Sequence, residues 1–335
     1  MNPLMKALLK RIAGIRGEPN LNDLLDRSDA VLAEAASDPL APARNSKRRH
    51  SFATGSPMEE LGARQIPRML PKMVRQLGSF RASMREAKRH FPLAPRPANE
   101  ATRGLIAARL RELGALEFGF AEIPDYAVFR DKVAPYRNAV VFTREMDRGA
   151  MRAAPSFQCL IEVQNAYGRA GVIANRLTRY LRRLGYNAIP GHPLGGVVDY
   201  PLLGRLAGLG ELGRNGLLIS KSRGCSQRIA VVYTDMTGLD FGEKEDYSWV
   251  KDFCAACGKC VRVCPVGALY PEYREDESGQ LTSTDGNACL PYFHKHFGCS
   301  VCVGVCPFTL TDYPLLKQAW LRGLKGDNSI PAPPG

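Results

Sequence analysis

The stretch FCAACGKCVRVCPVGALY, residues 253–270, places cysteines at 254, 257, 260 and 264 and a proline directly after the last. Thiolates at this density cross-link, hold a metal or do redox chemistry. The spacing Cys254-x2-Cys257-x2-Cys260-x3-Cys264-Pro265 is that of a bacterial ferredoxin half-module. In such a module three close thiolates wrap one face of an iron–sulfur cubane, and the fourth, past a turn, reaches a different cluster. A zinc site uses two close pairs, or cysteine with histidine, and has no need of a third and fourth cysteine at this spacing. Pro265 redirects the chain and offers no N–H.

The partner motif lies downstream in ACLPYFHKHFGCSVCVGVCPF, residues 288–308: Cys289, then Cys299-x2-Cys302-x3-Cys306-Pro307. One ligand has moved away from the tight run. The count closes at eight, enough for two [4Fe–4S] clusters. By the crossing rule, Cys254, Cys257, Cys260 and Cys306 hold the first, and Cys264, Cys289, Cys299 and Cys302 hold the second. Of the remaining cysteines, Cys159 in FQCLIEV reads as a small buried hydrophobe. Cys225 in SRGCSQR reads as a loop cysteine in a basic context, the setting in which a thiol can be reactive. His294 and His296 fall between cluster ligands. They have the chemistry to tune a cluster by hydrogen bonding, and neither is needed as a ligand.

Composition agrees. Ten cysteines in 335 residues are too sparse for a disulfide scaffold, and eight of them lie between 254 and 306, which suits a metal site in a reducing compartment. The chain is 45% hydrophobic, enough for one large domain or two modest ones. No apolar run approaches the ~20 residues of a bilayer span. The start, MNPLMKALLKRIAGIRGEPN, is a short basic amphipathic stretch, and no apolar segment follows the paired arginines of SKRRHSF (46–52). A cytoplasmic protein without a membrane span is therefore the expectation. The net charge is +13, and residues 44–96 carry thirteen Lys or Arg against three acids. No aromatic or glycine-rich RNA-reading pattern is interleaved there, so a solvated, partly helical arm is preferred to a nucleic-acid contact.

Residues 1–100 read as a basic, proline-containing N-terminal arm, with MEELGARQIPRMLPKMVRQLGSFRASMREAKRHF (58–91) as short helices wrapped on a core. Helices and strands alternate from about 100 to 240. ATRGLIAARLRELGALEFGFAEI (101–123) is an amphipathic helix, a stop at Gly114 and a strand; NAVVFT (138–143) is a buried strand; GRAGVIANRLTRYLRRLGYNAIP (168–190) is a helix ended by Gly185. NGLLIS (215–220) and RIAVVYTDM (228–236) are further strands. This predicts an α/β (α+β) layer domain over 101–245, a compact two-cluster module over 246–312 and a C-terminal tail over 313–335, whose GLKGDNSIPAPPG end reads as disordered.

AGLGELGRNG (207–216) contains Gly208-x-Gly210-x-x-Gly213. A dinucleotide fingerprint follows a strand and opens a helix; these glycines follow the helix-like YPLLGRL and precede a strand, so that reading is rejected. They suit a turn or a close backbone approach to a large flat ligand.

AGLGELGRNGLLISKSRGCSQRIAVVYTDM (207–236), followed by the two cysteine motifs and preceded by RYLRRLGYNAIPG (179–191), resembles the core of the corrinoid-dependent reductases, the reductive dehalogenases and epoxyqueuosine reductases. The resemblance covers roughly 100–312. It implies a nitroreductase-like domain binding a base-off cobalamin near Gly208, Gly210, Gly213, Arg214 and Asn215, beside a ferredoxin-like module. One cubane would reduce cobalt to Co(I) and the other would take electrons from outside. It further implies a tyrosine proton donor with a basic partner, matched to Tyr167, just before the predicted helix, and to Arg228. A phenol keeps its proton at neutral pH and releases it as substrate charge develops.

Respiratory dehalogenases carry an export signal, and none is read here. Epoxyqueuosine reductases place an acid at the proton-donor site, and NAYGRAG (165–171) has no carboxylate. A helical tRNA-binding extension and a fused flavin reductase are likewise not matched. The expectation is a reductase of a small organic compound, an organohalide among them, served by a separate ferredoxin- or flavodoxin-type donor. The alternatives are a tRNA-modifying epoxyqueuosine-type reductase, to which the basic arm would contribute, and a non-catalytic electron-transfer protein.

Overall fold

The computed structural model describes residues 21–47, 49, 57, 61–89, 93–239, 245–276, 279 and 281–324. The amphipathic start before residue 21 and the tail beyond 324 lie outside them. Helices α1 (Leu21–Glu34) and α2 (Ile66–Lys88) precede α3 (Glu100–Leu113), strands β1 (Phe118–Glu122) and β2 (Asn138–Glu145), the short α4 (Arg148–Arg152) and the long α5 (Phe157–Arg183). Then come β3 (Ile189–Gly191), α6 (Tyr200–Leu206), a small hairpin of β4 (Glu211–Leu212) and β5 (Leu218–Ile219), and β6 (Gln227–Thr234). The cysteine-rich segment holds α7 (Trp249–Cys257), α8 (Lys259–Arg262), the hairpin β7 (Leu269–Glu275) and β8 (Leu281–Thr284), α9 (Gly286–Lys295), α10 (Val301–Gly304), α11 (Pro307–Leu310) and α12 (Tyr313–Leu324).

The main sheet runs β1-β2-β6-β3, and every pairing is antiparallel. Its side chains alternate between two cores. Val140, Phe142, Ala230 and Val232 pack with Ile106, Leu110, Leu177 and Leu181 of α3 and α5. Ala139, Val141, Val231 and Tyr233 face the other way, toward Val31, Leu32 and Leu203 of α1 and α6. Both faces are covered, so β2 and β6 read as unbroken apolar runs. Helix α3 is bounded as its sequence predicts: Asn99 accepts from Thr102 N at 2.8 Å, and Gly114 ends it at φ +84°.

Three local readings differ from the structure. Residues 66–88 form one helix, not several short ones. Pro67 occupies the first turn, where no N–H partner is needed, and Pro71 falls early enough to cost a single intrahelical bond. Its Met69, Met73 and Phe80 are fully buried rather than peripheral. Second, the NGLLIS strand shrinks to the two residues of β5. Third, α5 begins at Phe157, eleven residues before the predicted start at Gly168, with Ser156 Oγ accepting from Cys159 N at 3.1 Å. Tyr167 therefore lies inside the helix, not ahead of it.

Glycines within α5 hid its length. They weaken a helix locally, but here they admit α2: a Cβ on Gly171 would lie 2.2 Å from His192 Nε2 and 2.6 Å from Ser79 Oγ. Gly171→Ala is expected to destabilise the protein by about 1–3 kcal/mol through overpacking. Gly78→Ala, on the open face of α2 with nothing within 4 Å of the new methyl, is expected to stabilise it by about 0.5–1 kcal/mol. Denaturant unfolding of the two variants checks this contrast.

Candidate cofactor cavity and metal centre

A cavity of about 460 Å³ opens where α5, β6, the loop 193–196 and the cysteine-rich segment meet. Its wall is mainly apolar, with Leu217, Leu218, Ile229, Val266, Leu269, Val301 and Val303, and a few polar groups converge on it: Tyr167, Arg228, Asn215, Gln227 and Ser300.

The structure brings Tyr167 and Arg228 together. The Arg228 guanidinium carbon sits 4.6 Å from the centre of the Tyr167 ring, and both line the cavity. Arg228 lies within β6, opposite Arg144 of β2, and its buried Nε has no hydrogen-bond partner among the described residues. No ion pair to its guanidinium is found among them either. A cation held half-buried without an anion is poised for one that arrives with a ligand.

Of the glycine block, only Asn215 reaches the cavity. Gly210 and Gly213 press against β5, where an added Cβ would fall 2.1 Å from Ile219 O and 2.6 Å from Ile219 Cδ1 respectively. Gly208 turns the chain at φ +75° after α6, and Arg214 stacks over Tyr273 at 4.8 Å. The glycines thus serve a tight hairpin, which presents Asn215. Asn215 donates from Nδ2 toward Cys225 Sγ (3.7 Å) and Cys302 O (3.5 Å) and accepts from Leu217 N (3.2 Å).

The cysteines are all unbridged. Their mutual electrostatics link them along the whole segment. Burial raises Cys289 and Cys299, and Cys264 acts on both. Burial likewise raises Cys302, which also feels Cys225, Cys299, Cys260 and Cys289. Burial pushes Cys254 up to about 12, with Cys260 and Cys257 adding to it, and Cys260 up to about 11, with Cys257 adding to it. Cys306 is raised, first by its pairing with Cys225, and Cys254 adds to this. Cys264, Cys289, Cys299 and Cys302 all open onto the cavity, whereas Cys254, Cys257, Cys260 and Cys306 do not. Among the described residues no three such ligands converge closely enough for a single ion. A tetrahedral zinc needs sulfurs within about 3.8 Å of each other, whereas a cubane spreads them wider.

Several features of the site carried little signal in the sequence. Phe297, Gly298, Cys299 and Ser300 run consecutively through left-handed backbone (φ +50°, +75°, +34° and +66°), and only Gly298 hints at it. Such residues persist only where their surroundings hold them, and here the turn delivers Cys299 and Ser300 to the cavity. His296 stacks on Tyr292 at 3.7 Å, with Nδ1 2.9 Å from Tyr292 O. Cys159 is buried against Met151, as its apolar context predicts.

The 4Fe-4S dicluster domain family matches residues 253–310. The tetrachloroethene reductive dehalogenase of Desulfitobacterium hafniense is 36% identical over 236 residues, covering 62% of this chain and 41% of that protein. The tetrachloroethene reductive dehalogenase of Sulfurospirillum multivorans is 33% identical over 186 residues, 51% of this chain and 35% of that protein. An epoxyqueuosine reductase of Cyclobacterium marinum is 30% identical over 132 residues, 34% of this chain and 38% of that protein. Among solved structures, a reductive dehalogenase described as acting by B12-dependent dehalogenation has a TM-score of 0.63 at 20% identity, over 87% of this chain and 46% of that one. The resemblance to reductive dehalogenases and epoxyqueuosine reductases is thus borne out, as is the mixed helix-and-strand fold with a 4Fe-4S segment. The chain spans about two fifths of the length of the Desulfitobacterium relative. No helix among the described residues is long and apolar enough to cross a membrane.

His192 anchors the cavity loop. Leu194 N donates to its Nδ1 (3.0 Å), so the ring proton sits on Nε2, facing Ser79 Oγ (2.9 Å), which donates to Gln76 O (2.8 Å). Full burial lowers its pKa from 6.5 to about 3. The folded state therefore refuses a proton that the unfolded chain accepts below 6.5. The associated stability is complete above that pH and is lost as pH falls toward 3, at about 1.4 kcal/mol per pH unit. Stability measured from pH 6.5 to 5 is expected to fall less steeply in His192→Gln than in the wild type.

Proposed function

We propose that the chain is a corrinoid- and iron–sulfur-dependent oxidoreductase of the reductive dehalogenase kind. It reduces a small organic compound, an organohalide foremost, with electrons from a separate ferredoxin- or flavodoxin-type donor. In this reading 101–245 is a nitroreductase-like corrinoid domain with the arm 1–100 against it, and 246–312 is the two-cluster module. One observation carries it: all four cysteines assigned to the second cluster share a cavity with the Tyr167–Arg228 pair.

The residues fit the groups they would hold. Cys254, Cys257, Cys260 and Cys306 would hold the outer [4Fe–4S] cluster, and Cys264, Cys289, Cys299 and Cys302 the inner one. The largely apolar wall, the space at loop 193–196 and the unpartnered Arg228 Nε suit a large, flat, mostly apolar ligand with polar edges. A base-off corrinoid bound there would supply the strongly reducing metal that delivers electrons to a carbon–halogen bond.

The chain itself manages the proton and the anion. Removal of a halide consumes two electrons and one proton: R–X + 2e⁻ + H⁺ → R–H + X⁻. The Tyr167 hydroxyl holds that proton, and α5 fixes the ring. The Arg228 guanidinium over the ring orients it and places positive charge where phenolate or departing halide forms. The apolar wall excludes water, which would otherwise compete as a proton source.

A second reading has its own observation. A groove between α1 and α2 is lined by Arg27, Arg81, Arg85 and Lys88, none ion-paired among the described residues, with Glu34 as the one acid among its lining residues. An epoxyqueuosine-type enzyme would use such a face for tRNA. Binding of tRNA that falls steeply with salt favours this reading, and indifference to tRNA removes it.

Anaerobic reconstitution with iron, sulfide and hydroxocobalamin is expected to yield about eight irons and one cobalt per chain. Tyr167→Phe is expected to retain both metals and to lose turnover by about 10²–10⁴-fold. Protein that retains iron but no cobalt contradicts the reductase and leaves an electron carrier.

A further inference from the structure

The cavity loop is held at both ends. His192 fixes its start, and the N-terminal arm holds its end. Pro193, Leu194, Gly195 and Gly196 all line the cavity, and so does Arg49 of the arm. The Arg49 side chain is 15% exposed and meets Asp29 of α1 as a fork: Nη1 donates to Oδ1 at 3.0 Å, and Nη2 lies 2.8 Å from Oδ2. Nη1 also donates to Gly196 O, at 3.3 Å. Asp29 is shared with Lys132, whose Nζ lies 2.9 Å from Oδ2. Leu25 of α1, itself buried, sits so close over Gly195 that a Cβ there would fall 2.4 Å from its Cδ2.

The residues leading to Arg49 are firmly seated. Ser46 is fully buried; its Oγ donates to Asp125 O at 3.2 Å, and Arg130 Nε donates to its carbonyl at 3.2 Å. Arg130 N donates to Lys47 O at 2.7 Å, and Lys47 Nζ donates to Leu281 O of β8 at 2.9 Å. Ser46, Lys47 and Arg49 thus tie together α1, the layered part, the cavity loop and the cysteine-rich hairpin.

We infer that Arg49 is a positioning residue for the cavity: it clamps Gly196 against α1, sets the wall that a bound corrinoid meets, and so makes the arm part of the cofactor site. This rests on the corrinoid reading above. Gly195 and Gly196 have no side chains with which to hold themselves, and glycine loses the most freedom on ordering. A planar guanidinium can hold a carboxylate and a carbonyl at once, which an ammonium cannot do with the same fork. A loop ordered beforehand has less entropy to lose when a ligand binds, so affinity rises. The two arginines of the cavity therefore divide the work. Arg228 has no ion pair among the described residues and is open to an anion; Arg49 commits its charge to Asp29 and holds backbone.

Hydrogen exchange of the protein without corrinoid, and hydroxocobalamin titration of the protein carrying iron and sulfide, test this together. In Arg49→Met the amides of residues 194–196 are expected to exchange about tenfold faster, and hydroxocobalamin to bind about tenfold more weakly, with iron content and the exchange of β2 and β6 unchanged. Lys132 still neutralises Asp29 in this variant, so no buried carboxylate is stranded. Arg49→Lys, which keeps the charge without the fork, is expected to fall between wild type and Arg49→Met. Unchanged exchange at 194–196 in Arg49→Met overturns the inference. So does equal acceleration in β2 and β6, which would make Arg49 a support of the whole fold, and so does faster loop exchange with undiminished cobalamin affinity. Wild-type protein that binds no cobalamin overturns the reading beneath it and with it the cofactor role; the exchange measurement, made without corrinoid, separates that case from a failure of Arg49 to hold the loop.

Discussion

The whole arrangement depends on how the cysteine-rich segment seats its apolar back against the layered part. Trp249, Val250, Val303, Phe308 and Tyr313 pack with Met151, Val163, Ala166 and Ile219 in one core. Trp249 donates from Nε1 to Tyr313 OH at 2.8 Å, and its ring stands edge-on to Tyr313 at 5.1 Å and to Phe253 at 5.9 Å. Aromatic pairs of this kind add about 0.5–1.5 kcal/mol each beyond their buried area. The same core takes in Cys225 and Cys306, with Cys254, Cys302 and Tyr167 at its margin. The sulfurs and the phenol thus share one rigid support, and their relation to the cavity follows from packing.

That support carries an electrostatic cost that metal offsets. Buried thiols with other thiols beside them hold on to their protons, as at Cys254, Cys260 and Cys302. Positive iron reverses this preference, so cluster assembly releases protons and couples to completion of the fold. Arg228, which lines the same cavity, is a cation with no ion pair among the described residues. A space lined both by cysteines and by this guanidinium suits chemistry in which electrons are delivered and an anion is released.

Much of this was legible in the sequence because it rests on fixed spacing. The eight cysteines proposed as ligands follow a fixed spacing, and β2, β6 and α3 announce themselves by apolar runs, a cap and a glycine stop. What was not legible depends on distant partners. The start of α5 at Phe157, ahead of Gly168, was not legible because α2, the helix its glycines admit, lies about ninety residues earlier in the chain. Gly208, Gly210 and Gly213 read as a turn or as a close approach to a flat ligand; the tight neighbour of Gly210 and Gly213 is Ile219 of their own hairpin, and Gly208 turns the chain. Tyr313 and Leu316 are buried, although the stretch after 312 reads as a tail. His192 gave no sign of its role, because Ser79 and Gly171 acquire meaning only in three dimensions.

The central claim is that a corrinoid sits against the inner cysteine set. Electron paramagnetic resonance of protein carrying iron, sulfide and corrinoid tests it most directly, with cobalt poised as Co(II) and the clusters reduced in turn. The expected result is a cobalt signal split or broadened when one particular cluster becomes paramagnetic and unaffected by the other. A cobalt signal indifferent to both clusters would contradict it.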